Sequence, residues 1–117
     1  IGVRNDAEWG PMVMVALGGI WIEVLHDAAL IAAPLDAASA RRALASLRAF
    51  ALLNGARGTA PADIEALVAL IVATGQLAGE HPEITEIDLN PVLVHPAGQG
   101  VTVVDASIVA GSRRPIR

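Results

Sequence analysis

The chain has 117 residues, enough for one modest domain with a hydrophobic core. Its formal charge is −4 and it has no cysteine, which excludes a basic nucleic-acid surface, disulfides and thiolate metal sites. The longest apolar stretch, Ala66 to Ala73, is far shorter than the ~20 residues that a membrane span needs. We therefore expect a cytoplasmic protein with neither nucleic acid nor membrane as a partner. Because the chain starts at Ile1 without a signal-peptide pattern, we also expect a piece of a longer chain.

The first half of the sequence predicts strands followed by a helix. Residues 1–10 are polar and are predicted to be irregular. Three apolar runs with tight turns between them predict three consecutive antiparallel strands, at residues 12–17, 20–25 and 28–33. Asp36 is a good N-cap for a helix over residues 37–51. One face of that helix is apolar and consists of Ala40, Leu44, Leu47 and Ala51.

The second half predicts another helix and then a hairpin. Thr59 is the expected cap of this helix, with Pro61 in its first turn and Pro82 after its end. Its apolar residues recur at helical spacing, namely Ile64, Leu67, Val68, Ile71 and Val72. The basic tail, residues 111–117, is expected to be loose, and the sequence has no internal linker. We therefore predict a single domain over residues 1–117.

A β-hairpin is predicted around the turn at residues 95–100. If the turn is symmetric, the numbers of facing residues add to 195. The predicted facing pairs are then Val94 with Val101, Val92 with Val103, Asn90 with Asp105, and Asp88 with Ser107. One face is expected to be the core, and it consists of Ile87, Leu89, Pro91, Leu93, Thr102, Val104, Ala106 and Ile108.

The opposite face of the hairpin gathers Glu86, Asp88, Asn90 and Asp105 without a Lys or Arg. Like charges that face each other across strands are destabilising, so a cation is expected among them. Mg²⁺ prefers oxygen ligands at about 2.0–2.1 Å and leaves its other positions to water and phosphate. From the residues alone, a Mg²⁺ site and an ordinary acidic solvent face both remain open.

Two loops contain residue types suited to phosphate. Gly18 and Gly19 would let backbone N–H groups approach an anion, although the pair also suits an ordinary tight turn. Arg57, next to Gly58, can present its planar guanidinium to phosphate or can simply face solvent. Glu23 is either a partner of this site or an exposed strand residue. The three histidines are expected to be surface residues.

The Glu-Ile-Asp-Leu-Asn-Pro sequence at 86–91, with Val-Val-Asp-Ala-Ser-Ile at 103–108, resembles the end of the ATP-grasp domain in NDP-forming acyl-CoA synthetases. The ADP-forming acetate–CoA ligases are the nearest resemblance, and the β subunit of succinyl-CoA synthetase is a more distant one. The Gly-Pro…Leu-Gly-Gly and Gly-x-Arg-Gly segments, at 10–23 and 55–58, are also similar to that family. The resemblance implies an α+β fold, an antiparallel sheet with two helices packed on it, as the C-terminal ATP-grasp lobe.

The resemblance also implies roles for particular residues. Asn90 and Asp105, with Asp88 at the acidic position, are expected to hold the Mg²⁺ of ATP or ADP. The phosphate-facing residues are expected to be Gly18, Gly19 and Arg57, and Glu23 is a weak catalytic candidate. The family differs from this chain in often having Gly, Arg and Arg where Ala16, Ile31 and Ser107 stand.

The family reaction interconverts acyl-CoA, ADP and phosphate with the free acid, CoA and ATP through a phosphohistidine. The expected partners are the nucleotide, the other ATP-grasp lobe and CoA-binding domains, and the isolated lobe is expected to be inactive. Two other interpretations remain open. One is a non-catalytic interaction module with a degenerate ion site, and the other is a small metal-binding regulatory domain.

Overall fold

The structure is a computed structural model that describes residues 1–6, 8–16, 27–55, 58 and 60–111. These residues form seven strands and three helices. The strands are β1 (Gly2–Asp6), β2 (Gly10–Ala16), β3 (Ala28–Ala32), β4 (Ile84–Leu89), β5 (Val92–Val94), β6 (Val101–Val103) and β7 (Ala106–Ala110). The helices are α1 (Ala37–Ser46), α2 (Phe50–Leu53) and α3 (Ile64–Glu80).

Five of the strands form one antiparallel sheet in the order β3-β2-β1-β4-β7, and β5 and β6 form a separate two-stranded ladder. One face of the large sheet is apolar, and a row of facing residues crosses it through Ile31, Val13, Val3, Ile87 and Ile108. Helices α1 and α3 pack on this face. The predicted α+β fold, an antiparallel sheet with two helices on it, is confirmed.

The hydrophobic core lies between that face and the two long helices. The largest fully buried side chains are Leu44 of α1, Ile71 of α3 and Val13 of β2. The apolar spacing predicted for α3 is confirmed, because Leu67 and Val68 are also buried. We call the opposite side of the large sheet, which neither helix covers, the outer face.

The prediction for the first segment of the chain was wrong. Residues 1–10 were expected to be irregular, yet β1 is the middle strand of the sheet. Successive side chains point to opposite faces, so that Arg4 is exposed on the outer face while Val3 joins the core. The predicted strand at 20–25 and the predicted loose tail lie outside the described residues. β2 and β3, which flank residues 17–27, pair directly with each other.

Helix α1 starts as predicted but ends early. Asp36 caps it, accepting the backbone N–H of Ser39 at 2.8 Å, while the Ser39 hydroxyl accepts the N–H of Asp36 at 3.0 Å. The helix ends at Ser46 instead of residue 51. The reason is a buried carboxyl group of Asp27, which accepts the backbone N–H groups of Arg48 at 2.6 Å and Ala49 at 2.9 Å. The short α2 follows that turn.

Helix α3 begins later than the predicted Thr59 cap, because Asp63 is its N-cap. The Asp63 carboxylate accepts the backbone N–H of Ala66 at 3.1 Å and that of Gly100 at 2.8 Å. The Asp63 N–H donates to the carbonyl of His95 at 2.7 Å. One residue thus joins the start of α3 to the turn of the hairpin. Within the described part of the chain, none of the helices is long and apolar enough to span a membrane.

The role of Asp63 predicts a pH dependence of stability. Its backbone hydrogen bonds, from Ala66 first and then Gly100, hold the pKa of this carboxyl below its usual value of 3.8. The stabilisation is therefore complete above the unfolded-state pKa and is lost as the pH falls through the folded-state pKa. We expect Asp63→Asn to lower the urea midpoint at pH 7 and to differ less from the wild type at pH 3. An equal difference at both pH values would contradict this assignment.

Candidate functional site

The predicted register of the hairpin is confirmed. Val92 faces Val103, Val94 faces Val101, and Asp88 faces Ser107 on β7. Between these ladders, the backbone N–H of Asn90 donates to the carbonyl of Asp105 at 3.1 Å. Asn90 and Asp105 are therefore neighbours across the two strands, as the predicted pairing requires.

The predicted core face of the hairpin was correct only as far as Leu89. Ile87 and Leu89 are buried, but Leu93 is 50% exposed and Val104 is 56% exposed. Residues 90–91 and 104–105 belong to no strand, and beyond this break the opposite side of the hairpin points inward. Three valines therefore pack on the core instead, namely Val92, Val94 and Val101. On the edge strand β7, Ile108 is 54% exposed because α3 packs mainly on β1, β2 and β4.

The expectation of an acidic face without a cation was also wrong in part. Arg4 of β1 faces Glu86 of β4, and its guanidinium lies 3.5 Å from the Glu86 carboxylate. Glu86 thus has its own partner on the outer face. The three predicted metal ligands, Asp88, Asn90 and Asp105, are all exposed.

These three side chains are exposed, and the carboxylate of Asp88 interacts electrostatically with the Ile1 ammonium group. No side chain among the described residues forms an ion pair with Asp88 or Asp105. In the same part of the chain, no group of three or more His, Asp or Glu side chains is arranged to hold a metal ion. Two carboxylates and one amide are oxygen donors that suit Mg²⁺, which keeps water and phosphate in its remaining positions.

A row of facing residues crosses the outer face beside this acidic end. It runs through the five strands as Leu30, Met14, Gly2, Asp88 and Ser107. Leu30 is 69% exposed and Met14 is 45% exposed. The row thus has an apolar half on β3 and β2 and a polar half on β4 and β7, with a glycine between them.

Four predicted site residues cannot be compared with the structure, because Gly18, Gly19, Glu23 and Arg57 lie outside the described residues. The strand ends beside them are described. Met14 and Asp88 both pair with Gly2, so β2 ends at the same edge of the sheet as β4. β2 thus ends, at Ala16, on the side of the sheet where Asn90 and Asp105 lie.

Sequence reasoning missed two polar residues of this region. Asp27 looked like part of a polar turn, and its partners lie 21 and 22 residues further along the chain. Arg4 looked like part of an irregular segment. For Arg4, the alternation of Gly2, Val3 and Arg4 was a usable signal for a strand.

Known proteins match nearly the whole chain. The model of the ATP-grasp domain matches residues 1–110. The trans-feruloyl-CoA synthase FCS1 of an unknown prokaryotic organism is 44% identical over 106 residues, which cover 91% of this chain and 15% of that protein. The β subunit of acetate–CoA ligase (ADP-forming) II of Pyrococcus furiosus is 41% identical over 110 residues, which cover 93% of this chain and 47% of that subunit. The chain thus spans less than half of either relative.

Solved structures share the fold. The dinucleotide-forming acetyl-coenzyme A synthetase 1 of Ca. Korarchaeum cryptofilum, solved with coenzyme A and Mg-AMPPCP, superimposes with a TM-score of 0.86 at 39% identity. The match covers 93% of this chain and 50% of that chain. The resemblance identified from the hairpin and the two loops is confirmed. The chain belongs to the ATP-grasp domain family, and its relatives include ADP-forming acetate–CoA ligases.

Proposed function

We propose that this chain is the nucleotide- and Mg²⁺-binding lobe of an ADP-forming acyl-CoA synthetase. The observation that carries the proposal is the position of Asp88, Asn90 and Asp105, which are exposed together at one edge of the sheet. Their oxygen atoms lack cationic side-chain partners among the described residues, whereas neighbouring Glu86 has Arg4. Because the chain belongs to the ATP-grasp family, we expect the ligand of these residues to be a nucleotide with its metal ion.

Each of these residues has a distinct part in the proposed site. Asp105 and Asn90 supply oxygen ligands from the two sides of the hairpin, and Asp88 supplies a second carboxylate two residue pairs away. When bound there, Mg²⁺ neutralises charge on the phosphate oxygens during phosphoryl transfer. The rigid sheet under Asp88 fixes one side of the site, because its neighbours Ile87 and Leu89 are buried.

Other residues complete the proposed site. The backbone N–H groups at Gly18 and Gly19 and the guanidinium of Arg57 contact phosphate, and Glu23 remains a weak catalytic candidate. The strand end at Ala16 supports this proposal for the two glycines, since it lies at the same sheet edge as Asn90.

The proposed reaction interconverts acyl-CoA, ADP and phosphate with the free acid, CoA and ATP, through a phosphohistidine carried by another segment. The partners are the other ATP-grasp lobe and CoA-binding domains, and we expect the location to be cytoplasmic. Relatives named for acetate, trans-ferulate and 4-hydroxybutyrate support an acyl-CoA as the substrate class. We call this lobe, joined to those other domains, the assembled protein.

The assay that tests the proposed function measures ATP formation from acetyl-CoA, ADP and phosphate. We expect ATP formation by the assembled protein in the presence of Mg²⁺ and none by residues 1–117 alone, because this lobe lacks the phosphohistidine and the CoA site. Several acyl-CoA substrates are tested, so that an unsuitable acyl group is not mistaken for a lack of activity. If the assembled protein forms no ATP with any of them, the non-catalytic module becomes the better account. If the isolated lobe forms ATP, the division of the site between lobes is wrong.

A further inference from the structure

Gly2 occupies an unusual place on the outer face. It pairs with Met14 on one side and with Asp88 on the other, so it is the middle residue of the row that crosses the sheet. Its neighbour Val3 is 4% exposed and points to the core, which leaves position 2 on the outer face. The glycine in the central strand therefore places no side chain between the apolar half and the polar half of that face.

Neither the backbone nor the packing requires glycine at this position. The φ angle of Gly2 is not in the left-handed region, so other residues can adopt its backbone conformation. A Cβ built on Gly2 would lie 3.8 Å from the Cε of Met14 and 3.9 Å from the carbonyl oxygen of Ile87, which are ordinary contacts. Glycine inside a strand weakens it and often marks a place where a ligand or another backbone approaches closely.

We propose that Gly2 provides the clearance for the nucleotide on the outer face, so that the bound ligand crosses β1 between Met14 and Asp88. This inference depends on the function proposed above. It names Gly2 as the residue that determines which ligands can lie on the outer face. The half of the row formed by Leu30 and Met14 offers apolar surface, and the half that begins at Asp88 leads to the metal ligands. A nucleoside diphosphate has one flat, weakly polar end and one anionic end, which match the two halves.

The test is a series of side chains of increasing size at position 2 of the assembled protein: Gly2→Ala, Gly2→Val and Gly2→Leu. We expect Gly2→Ala to change the Kd for Mg²⁺–ADP by less than about threefold, because its Cβ has room. We expect Gly2→Val and Gly2→Leu to raise that Kd by at least about tenfold, with Leu the larger effect. The affinity for acetyl-CoA should stay unchanged in all three variants.

The matched control is Ala32→Val, which adds a β-branched side chain to the outer face on the edge strand β3. Ala32 is exposed and pairs with Met12, away from the row that contains Gly2. We expect this variant to bind ADP like the wild type. Urea midpoints for all variants separate loss of binding from loss of folding, and Gly2→Val should be at least as stable as the wild type.

The possible outcomes distinguish this inference from the proposed function. If Gly2→Leu binds Mg²⁺–ADP like the wild type while Asp105→Ala does not, the clearance role is wrong and the metal site stands. If Asp105→Ala and Asn90→Ala also bind like the wild type, both proposals are wrong. If Gly2→Val weakens ADP and acetyl-CoA binding equally, Gly2 acts on folding and the clearance role is again wrong.

Discussion

Replacing Asp105 by Ala is expected to lower kcat/KM for ADP in the assembled protein by about 100-fold or more. Asp105 contributes a carboxylate directly across the hairpin from Asn90, whose N–H donates to its carbonyl. In the proposed site, removal of this carboxylate leaves the Mg²⁺ that neutralises the phosphate charge with one protein ligand fewer. The side chain is exposed, so we expect little change in the free energy of unfolding. Steady-state kinetics with ADP varied at saturating Mg²⁺ would measure the effect.

Glu86→Gln is the matched control for that experiment. Glu86 is an acidic residue near the same end of the sheet, but its carboxylate faces Arg4 at 3.5 Å and both side chains are more than half exposed. Exposed ion pairs contribute little to stability. We expect kcat/KM to stay within about twofold of the wild type. If Asp105→Ala also stays within that range, Asp105 is not a metal ligand.

The largest effect on stability is expected for Asp27→Ala. The carboxyl group of Asp27 is 8% exposed and accepts two backbone N–H groups, those of Arg48 and Ala49, at the break between α1 and α2. A buried N–H group that loses its partner costs about 1–3 kcal/mol. Both hydrogen bonds are partly buried, so we expect the free energy of unfolding to fall by about 2–4 kcal/mol in total. Urea unfolding of the chain at pH 7 would measure it.

Two further variants test whether the loss of stability comes from the two hydrogen bonds of Asp27. Asp27→Asn keeps one acceptor oxygen, and we expect a loss smaller than that of Asp27→Ala. Asp36→Ala removes an exposed N-cap of α1, for which we expect a smaller loss of stability than for Asp27→Ala. If Asp27→Ala costs no more than Asp36→Ala, the two hydrogen bonds of Asp27 do not hold the break between the helices.

Periodic patterns in the sequence correctly predicted those parts of the fold that depend on residues close together in the chain. The apolar spacing of α3, the Asp36 cap and the register of the hairpin all depend on residues a few positions apart. The β1 strand was missed because its pattern is short and polar, and only the neighbouring strands β2 and β4 stabilise it as the middle strand. The early end of α1 was missed because Asp27 acts from another part of the chain.

The candidate site was predicted from residue types and from the family resemblance together. The pairing of Asn90 with Asp105 followed from a symmetric turn, which the structure has. The reversal of the inward face beyond Leu89 could not be predicted, because strand alternation assumes a continuous strand. The pairing of Glu86 with Arg4 required knowledge of which strand lies beside β4. Such contacts between distant segments depend on the tertiary fold.

The most direct measurement of the central claim is the affinity of the assembled protein for ADP with and without Mg²⁺, in the wild type, Asn90→Ala, Asp105→Ala and the double variant. We expect Mg²⁺ to tighten ADP binding in the wild type, each single variant to reduce that gain, and the double variant to abolish it. Affinity for ADP without Mg²⁺ should change little, because both residues act through the metal. If Mg²⁺ tightens ADP binding equally in all four proteins, Asn90 and Asp105 form ordinary acidic surface and the proposed metal site is wrong.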